Sequence, residues 1–213
     1  MNVGVPKQYL KLDNGLTILD QCLKTLLKID QISGFVISLS ESDSRFNKST
    51  YFNHPKLLGL ALGGKERYHS VQSALNTLSN FARSNDWVLI HDAVRPCIKE
   101  ADVHNLIDHV FNHSVGGILA SKALDTIKKI HDEKVTTIDR NELYHAQTPQ
   151  MFRFGILKEA IDNAIEIDNH ITDDSEALEN LGYSIKIVSG SKSNIKITQA
   201  DDLELANYYL NKL

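Results

Sequence analysis

The chain has 213 residues, 42% of them apolar, and 23 basic side chains against 27 acidic ones give a formal charge of −4. That length suits one sizeable core, so a single domain over residues 1–213 is expected. The balanced charge speaks against a nucleic-acid or membrane-surface binder, so an anionic ligand needs a local cluster of Lys and Arg.

Asn14-Gly15 turns into a first helix, with Ile18, Leu19, Cys22, Leu23, Leu26 and Leu27 at helical spacing and Thr17 with Asp20 as its capping box. Phe35-Val36-Ile37 predicts a buried strand. Val71, Ala74, Leu75, Leu78 and Phe81 line a second helix, and Trp87-Val88-Leu89-Ile90 is a fully apolar strand. Val103, Leu106, Ile107 and Val110 mark a third helix, on whose surface His104, His109 and His113 are placed; Gly116–Ala120 follows as a strand. Strands apolar on both faces that alternate with amphipathic helices predict an α/β, Rossmann-like, mostly parallel sheet flanked by helices. Between about 122 and 145 the pattern becomes short and two-sided, which predicts a projecting β-arm that invites a partner strand. Helical spacing resumes at Ile156 and again at Ala177. Ile185–Val188 reads as a late strand, and Thr198 with Asp201 caps a final helix through Leu210. Cys22 and Cys97 form no disulfide pattern, and no apolar run reaches transmembrane length or signal-peptide form, so a cytoplasmic protein is expected.

Ligands of such sheets lie beyond the carboxyl ends of the strands, which directs attention to the residues after Leu62 and Ile90. After Leu62 comes Gly63-Gly64-Lys65-Glu66-Arg67, then Ser70. Paired glycines let backbone N–H groups approach a ligand, although an ordinary strand-to-helix turn reads the same way. After Ile90 comes His91-Asp92-Ala93-Val94-Arg95-Pro96. Asp92 is placed to hold Mg²⁺ on a phosphate, Arg95 to take a phosphate bidentately, and His91 to serve as a satisfied structural histidine. Pro6-Lys7-Gln8-Tyr9 offers a Lys that either reaches a phosphate or sits in solvent. Lys196, between Ile195 and Ile197, faces a groove or water. Arg140 and Thr148 are phosphate-capable, and Thr148-Pro149-Gln150 reads as a turn.

Taken in order and spacing, Pro-Lys-Gln-Tyr, Gly-Gly-x-Glu-Arg-x-x-Ser-Val, His-Asp-Ala-x-Arg-Pro, Asp-Thr-Ile-Lys, Asp-Arg-Asn-x-Leu, Thr-Pro-Gln-x-Phe, Thr-Asp-Asp and Asn-Ile-Lys-x-Thr resemble the signature of the 2-C-methyl-D-erythritol 4-phosphate cytidylyltransferase family. The resemblance runs the length of the chain. It implies transfer of CMP from CTP to a polyol phosphate, methylerythritol phosphate, with release of pyrophosphate and Mg²⁺ as cofactor. By the same resemblance Lys7 and Lys196 flank the α-phosphate and Asp92 holds the metal. Gly64, Lys65, Ser70 and Ala93 meet the nucleotide, while Arg95, Thr126, Arg140 and Thr148 hold the polyol phosphate. The arm is implied to swap between subunits of a homodimer, which sends Arg140 into the neighbouring site. Lys65 departs from the pattern, since an acidic residue often stands there. Ribitol 5-phosphate cytidylyltransferases share the fold and the His-Asp-Ala-Val-Arg-Pro segment and form the nearest alternative.

The family opens with an apolar strand and Ala-Ala-Gly-x-Gly-x-Arg-Met, and Met1 stands where the Met of that motif falls. The expectation is a chain that begins at the end of this loop, through a misassigned start in preference to deliberate truncation or gene decay. Such a chain would leave two apolar strands facing a gap. It would have weak or absent activity and poor solubility, or persist as an inactive remnant that only dimerises.

Overall fold

The structure is a computed structural model that describes residues 4–212. Met1, on which the expectation about the chain's start rests, lies outside the described residues.

Gly15, at φ +82°, turns the chain into α1 (Ile18–Leu26), where the Thr17 side chain accepts from the Asp20 N–H as the capping pattern predicts. β1 (Phe35–Leu39) and β2 (Leu57–Leu62) pair in parallel as a two-stranded sheet. α2 (Arg67–Leu78) starts and ends earlier than its apolar spacing suggests, and Phe81 lies past its end, exposed. β3 (Trp87–Ile90), α3 (Glu100–Val110) and β4 (Gly116–Lys122) follow as expected. His113 lies beyond α3, where its Nδ1 accepts from the N–H groups of Val115 and Gly116 and so shapes the entry to β4.

β5 (Ile127–His131) and β6 (Lys134–Ile138) form the arm. Their two-residue turn, Asp132-Glu133, has positive φ at both positions, which suits the right-handed twist of a tight hairpin. β7 (Tyr144–Arg153), α4 (Phe154–Glu166), α5 (Asp174–Asn180), β8 (Lys186–Ser189) and α6 (Ala200–Leu210) complete the chain. The predicted Thr198–Asp201 cap is replaced by Thr198 with Asp202. The helix opens at Ala200, so the third helical residue, whose side chain can reach back to the cap, is Asp202.

The main sheet has the order β3-β7-β4-β8. β3, β4 and β8 run one way and β7 runs against them, so the fold is α/β with mostly parallel strands flanked by helices. α2, α4 and α5 cover one face with Leu75, Leu157, Ile161 and Leu178 against Ile118 and Phe152. α3 covers the other with Val103, Leu106 and Val110 against Leu119, Met151 and Val188. β1 and β3, both apolar, pair on one edge only among the described residues, and every one of their residues is half-buried.

Thr148-Pro149-Gln150 is not a turn. It lies inside the ten-residue strand β7, at the centre of the sheet. Gln150 pairs with Ile118 and Ala146 with Ala120, so three residues of β7 stand opposite Leu119 alone. Pro149, with no N–H to give, falls in this bulge, where the ladder is already interrupted, and beyond the last β3 pair at Ile90–Gln150.

Candidate active site

The loop after β3 is locked by a short relay. The Asp92 N–H donates to Thr148 Oγ1 at 3.0 Å, so the Thr148 hydroxyl has its proton left for His91 Nδ1, 3.1 Å away. His91 Nε2–H then donates to the Arg95 carbonyl at 3.1 Å. Burial drives the His91 ring down to about 4, so the imidazole is neutral at neutral pH, in keeping with this arrangement. Thr148 sits on β7, and its hydroxyl therefore ties the loop to the sheet bulge.

The loop carries Asp92 into a ring of cations. Arg67 Nε lies 2.9 Å from Oδ1, while Lys196 Nζ at 3.0 Å and Arg95 Nε at 3.5 Å face Oδ2. Burial raises the Asp92 carboxyl, but Arg67 and Lys196 outweigh it and hold the group well below the usual carboxylate range. Arg67 opens α2 and turns its two terminal nitrogens onto Asp174, the first residue of α5, at 2.8 and 2.7 Å. Asp174 is fully buried; burial pushes its carboxyl up against the pull of Arg67. Three cations thus surround Asp92 and Asp174, with Asp173 as a further carboxylate at the cavity wall.

Lys196 is held from behind. Residues 193–198 form no strand; they run irregularly, with buried Asn194 donating to the Thr148 carbonyl and the Ile197 N–H to the Val94 carbonyl. Arg95 Nη1 donates to the Asn194 carbonyl. Ile195 and Ile197 pack into the core beside α6, which leaves Lys196 aimed at Asp92. Lys7 reaches the same segment, its Nζ donating to the Thr198 carbonyl at 2.7 Å. A cavity of about 230 Å³ opens here, lined by Arg67, Asp92, Arg95, Thr148, Gln150 and Lys196 among others.

At the end of β2, the Gly64 N–H donates to Ser70 Oγ at 3.0 Å. A Cβ on Gly64 would fall 2.3 Å from His69 Cβ, so only glycine fits. Lys65 is exposed, and Ala93 is half-buried with its carbonyl accepting from the Cys22 thiol. Thr126 and Arg140 lie apart from the cluster. Both are exposed on the arm, with the Arg140 guanidinium on the Leu124 carbonyl, and neither lines the cavity. Within one chain the structure therefore joins Asp92, Arg95, Thr148 and Lys196, with Lys7 at their margin, and leaves the arm residues outside.

Sequence reasoning missed Arg67 and Asp174 as site residues. Both stand in quoted motifs, Gly-Gly-x-Glu-Arg and Thr-Asp-Asp, and both sit at helix starts next to strand ends. Their partnership spans 107 positions, so no local spacing shows it.

A mostly parallel α/β layer with a cation-ringed carboxylate past a strand's carboxyl end defines a nucleotidyltransferase-type enzyme. The family profile described as "IspD: 2-C-methyl-D-erythritol 4-phosphate cytidylyltransferase" matches residues 1–212, and the chain belongs to that cytidylyltransferase family. A relative of that name from Ruthia magnifica subsp. Calyptogena magnifica is 54% identical over 208 residues, 97% of this chain and 87% of the relative. The protein of that name from Vibrio vulnificus (strain YJ016) is 42% identical over 214 residues, covering 100% of this chain and 90% of its own. The crystal structure of Francisella tularensis 2-C-methyl-D-erythritol 4-phosphate cytidylyltransferase (IspD) superposes with a TM-score of 0.85 at 38% identity, over 96% of this chain and 93% of that one. Among the described residues no helix is long and apolar enough to cross a membrane.

Proposed function

We propose that this chain transfers CMP from CTP to 2-C-methyl-D-erythritol 4-phosphate and releases pyrophosphate. The observation that carries this reading is the Asp92–Lys196–Arg95–Arg67 cluster at the carboxyl end of β3, in a member of a family so named. The attacking atom is an oxygen of a phosphate monoester, largely dianionic near neutral pH, so the reaction calls for no general base. It calls for alignment and for positive charge where negative charge gathers around the α-phosphorus. Lys196 supplies that charge from a fixed position, and Lys7 from the margin beside Thr198. Arg95 and Arg67 hold positive charge at fixed positions around Asp92 without exposing a mobile cation. By the family resemblance Gly64, Ser70 and Ala93 meet the nucleotide, with Lys65 exposed to solvent.

Mg²⁺ fits this site as an ion carried on the nucleotide. Among the described residues no three His, Cys, Asp or Glu side chains gather to cage a metal. Asp92 nonetheless keeps an unused lone-pair direction on Oδ1, which among the described residues accepts only from Arg67. When bound, the ion neutralises phosphate charge. The arm exposes Ile130 and Val135, which pair across it, at 71% and 61%. These side chains suit burial against a second copy, and a homodimer of this kind brings Thr126 and Arg140 to the neighbouring site. The test is turnover of CTP–Mg²⁺ with methylerythritol phosphate and ribitol 5-phosphate in competition, following pyrophosphate release. Preferential consumption of methylerythritol phosphate is expected; preference for ribitol 5-phosphate, or no turnover at all, contradicts the reading.

A further inference from the structure

We propose that Asp174 is a positioning residue for Asp92, acting through the guanidinium of Arg67. The inference rests on the reading of Asp92 as the centre of the reaction. Asp174 has no exposed surface, and its two oxygens accept from the two terminal nitrogens of Arg67 at 2.8 and 2.7 Å. This paired geometry fixes the plane of the guanidinium, which a single bond cannot do. With the plane fixed, Nε has one direction in which to donate, and Asp92 Oδ1 lies there at 2.9 Å. Arg67 thus approaches Asp92 through one nitrogen and one oxygen, and Oδ2 stays available to Lys196. A guanidinium released from Asp174 has no such restraint. It can swing end-on to Asp92, turning Nε away, grip both oxygens with its terminal nitrogens and displace Lys196 from Oδ2.

The contact also joins distant pieces of the fold. Arg67 begins α2, Asp174 begins α5, and Asp92 follows β3. A buried carboxylate is expensive to keep ionised and is held so by its paired partner. A purely structural pair would need only two members. Here the third bond of the same guanidinium ends on the carboxylate at the middle of the cation cluster.

The experiment compares Asp174→Asn, Arg67→Lys and the double variant with the unaltered full chain. Asp174→Asn is expected to lower kcat at least about tenfold, with KM for either substrate moving less than about threefold, because misaligned groups fail mainly in the transition state. The double variant is expected to lose no more than Arg67→Lys alone, since both act on one bond. Arginine Nε–Hε NMR supplies a readout that needs no turnover. The cross-peak absent from Arg67→Lys identifies Arg67; it is expected to be exchange-protected in the unaltered chain and to lose protection in Asp174→Asn. Protection that survives in Asp174→Asn, or additive losses in the double variant, overturn the proposal. If Asp174→Asn does not fold, Arg67→Lys decides, and an unchanged kcat there overturns it. Should the unaltered chain show no turnover, the reaction reading fails on its own while the NMR comparison still judges Asp174.

Discussion

His91 shows how a single buried ring ties acidity to stability. In the unfolded chain a histidine takes up a proton below about 6.5, but in the fold burial drives this ring down to about 4. Between those values the unfolded state holds more protons, so stability is full above the unfolded value and falls as pH drops toward the folded one. The loss from pH 7 to pH 5 is about 2 kcal/mol by this linkage. Urea unfolding at the two pH values checks it, with His91→Gln expected to flatten the difference; an unaltered slope in that variant contradicts the assignment. Asp92 adds its own loss only under stronger acid, because its carboxyl lies below the usual range. At this scale the sequence was informative where chemistry sits at a strand's end. Asp92, Arg95 and the structural part of His91 were readable because the most apolar strand delivers them. The Arg67–Asp174 bond was not, because it depends on where two helix starts meet in space.

Individual elements were legible in proportion to how fully their side chains announce a period. β3 is apolar throughout and α3 at every buried position, and both were found where expected. β7 was hidden because its middle carries Gln147, Thr148, Pro149 and Gln150, polar or turn-like residues that are buried nonetheless. Most of their polar atoms are used: Gln150 Nε2 donates to Asp173, its Oε1 accepts from the Ser175 N–H, and Gln147 Nε2 donates to the Ser191 carbonyl, while Gln147 Oε1 has no partner among the described residues. Tertiary partners, not period, decided that strand. The arm presents the opposite case, an element legible in itself whose role, on the homodimer proposed above, lies in another chain. If Arg140 serves the neighbour, Asp92→Ala and Arg140→Ala proteins, each inactive alone, should regain about a quarter of full activity when unfolded and refolded together. Half the dimers are then mixed, and each holds one intact site. Steady-state assay of the refolded mixture gives the answer, and no recovery places Arg140 in its own subunit's site or in none.

Apart from the arm hairpin, the described residues form two sheets spanned by helices. α2 packs on β1 and β2, while its Tyr68, Val71 and Leu75 share a core with Phe152 and Leu157. No ladder joins β1 to β3 among the described residues, so what couples the halves is side-chain packing without backbone pairing. An α/β layer was readable from alternating patterns, whereas its division was not, since apolar runs name buried strands and not their neighbours. The chain's lone tryptophan, Trp87, lies on β3 in the four-stranded sheet, with the Arg153 guanidinium 3.7 Å from its ring centre. Its emission therefore illuminates one half of the protein and leaves β1 and β2 dark. In a urea titration the far-ultraviolet dichroism, which senses both halves, should begin to fall before the indole signal moves. Superimposable curves would mean that side-chain contacts alone, packing and the Arg67 bonds together, weld the two halves into one cooperative unit.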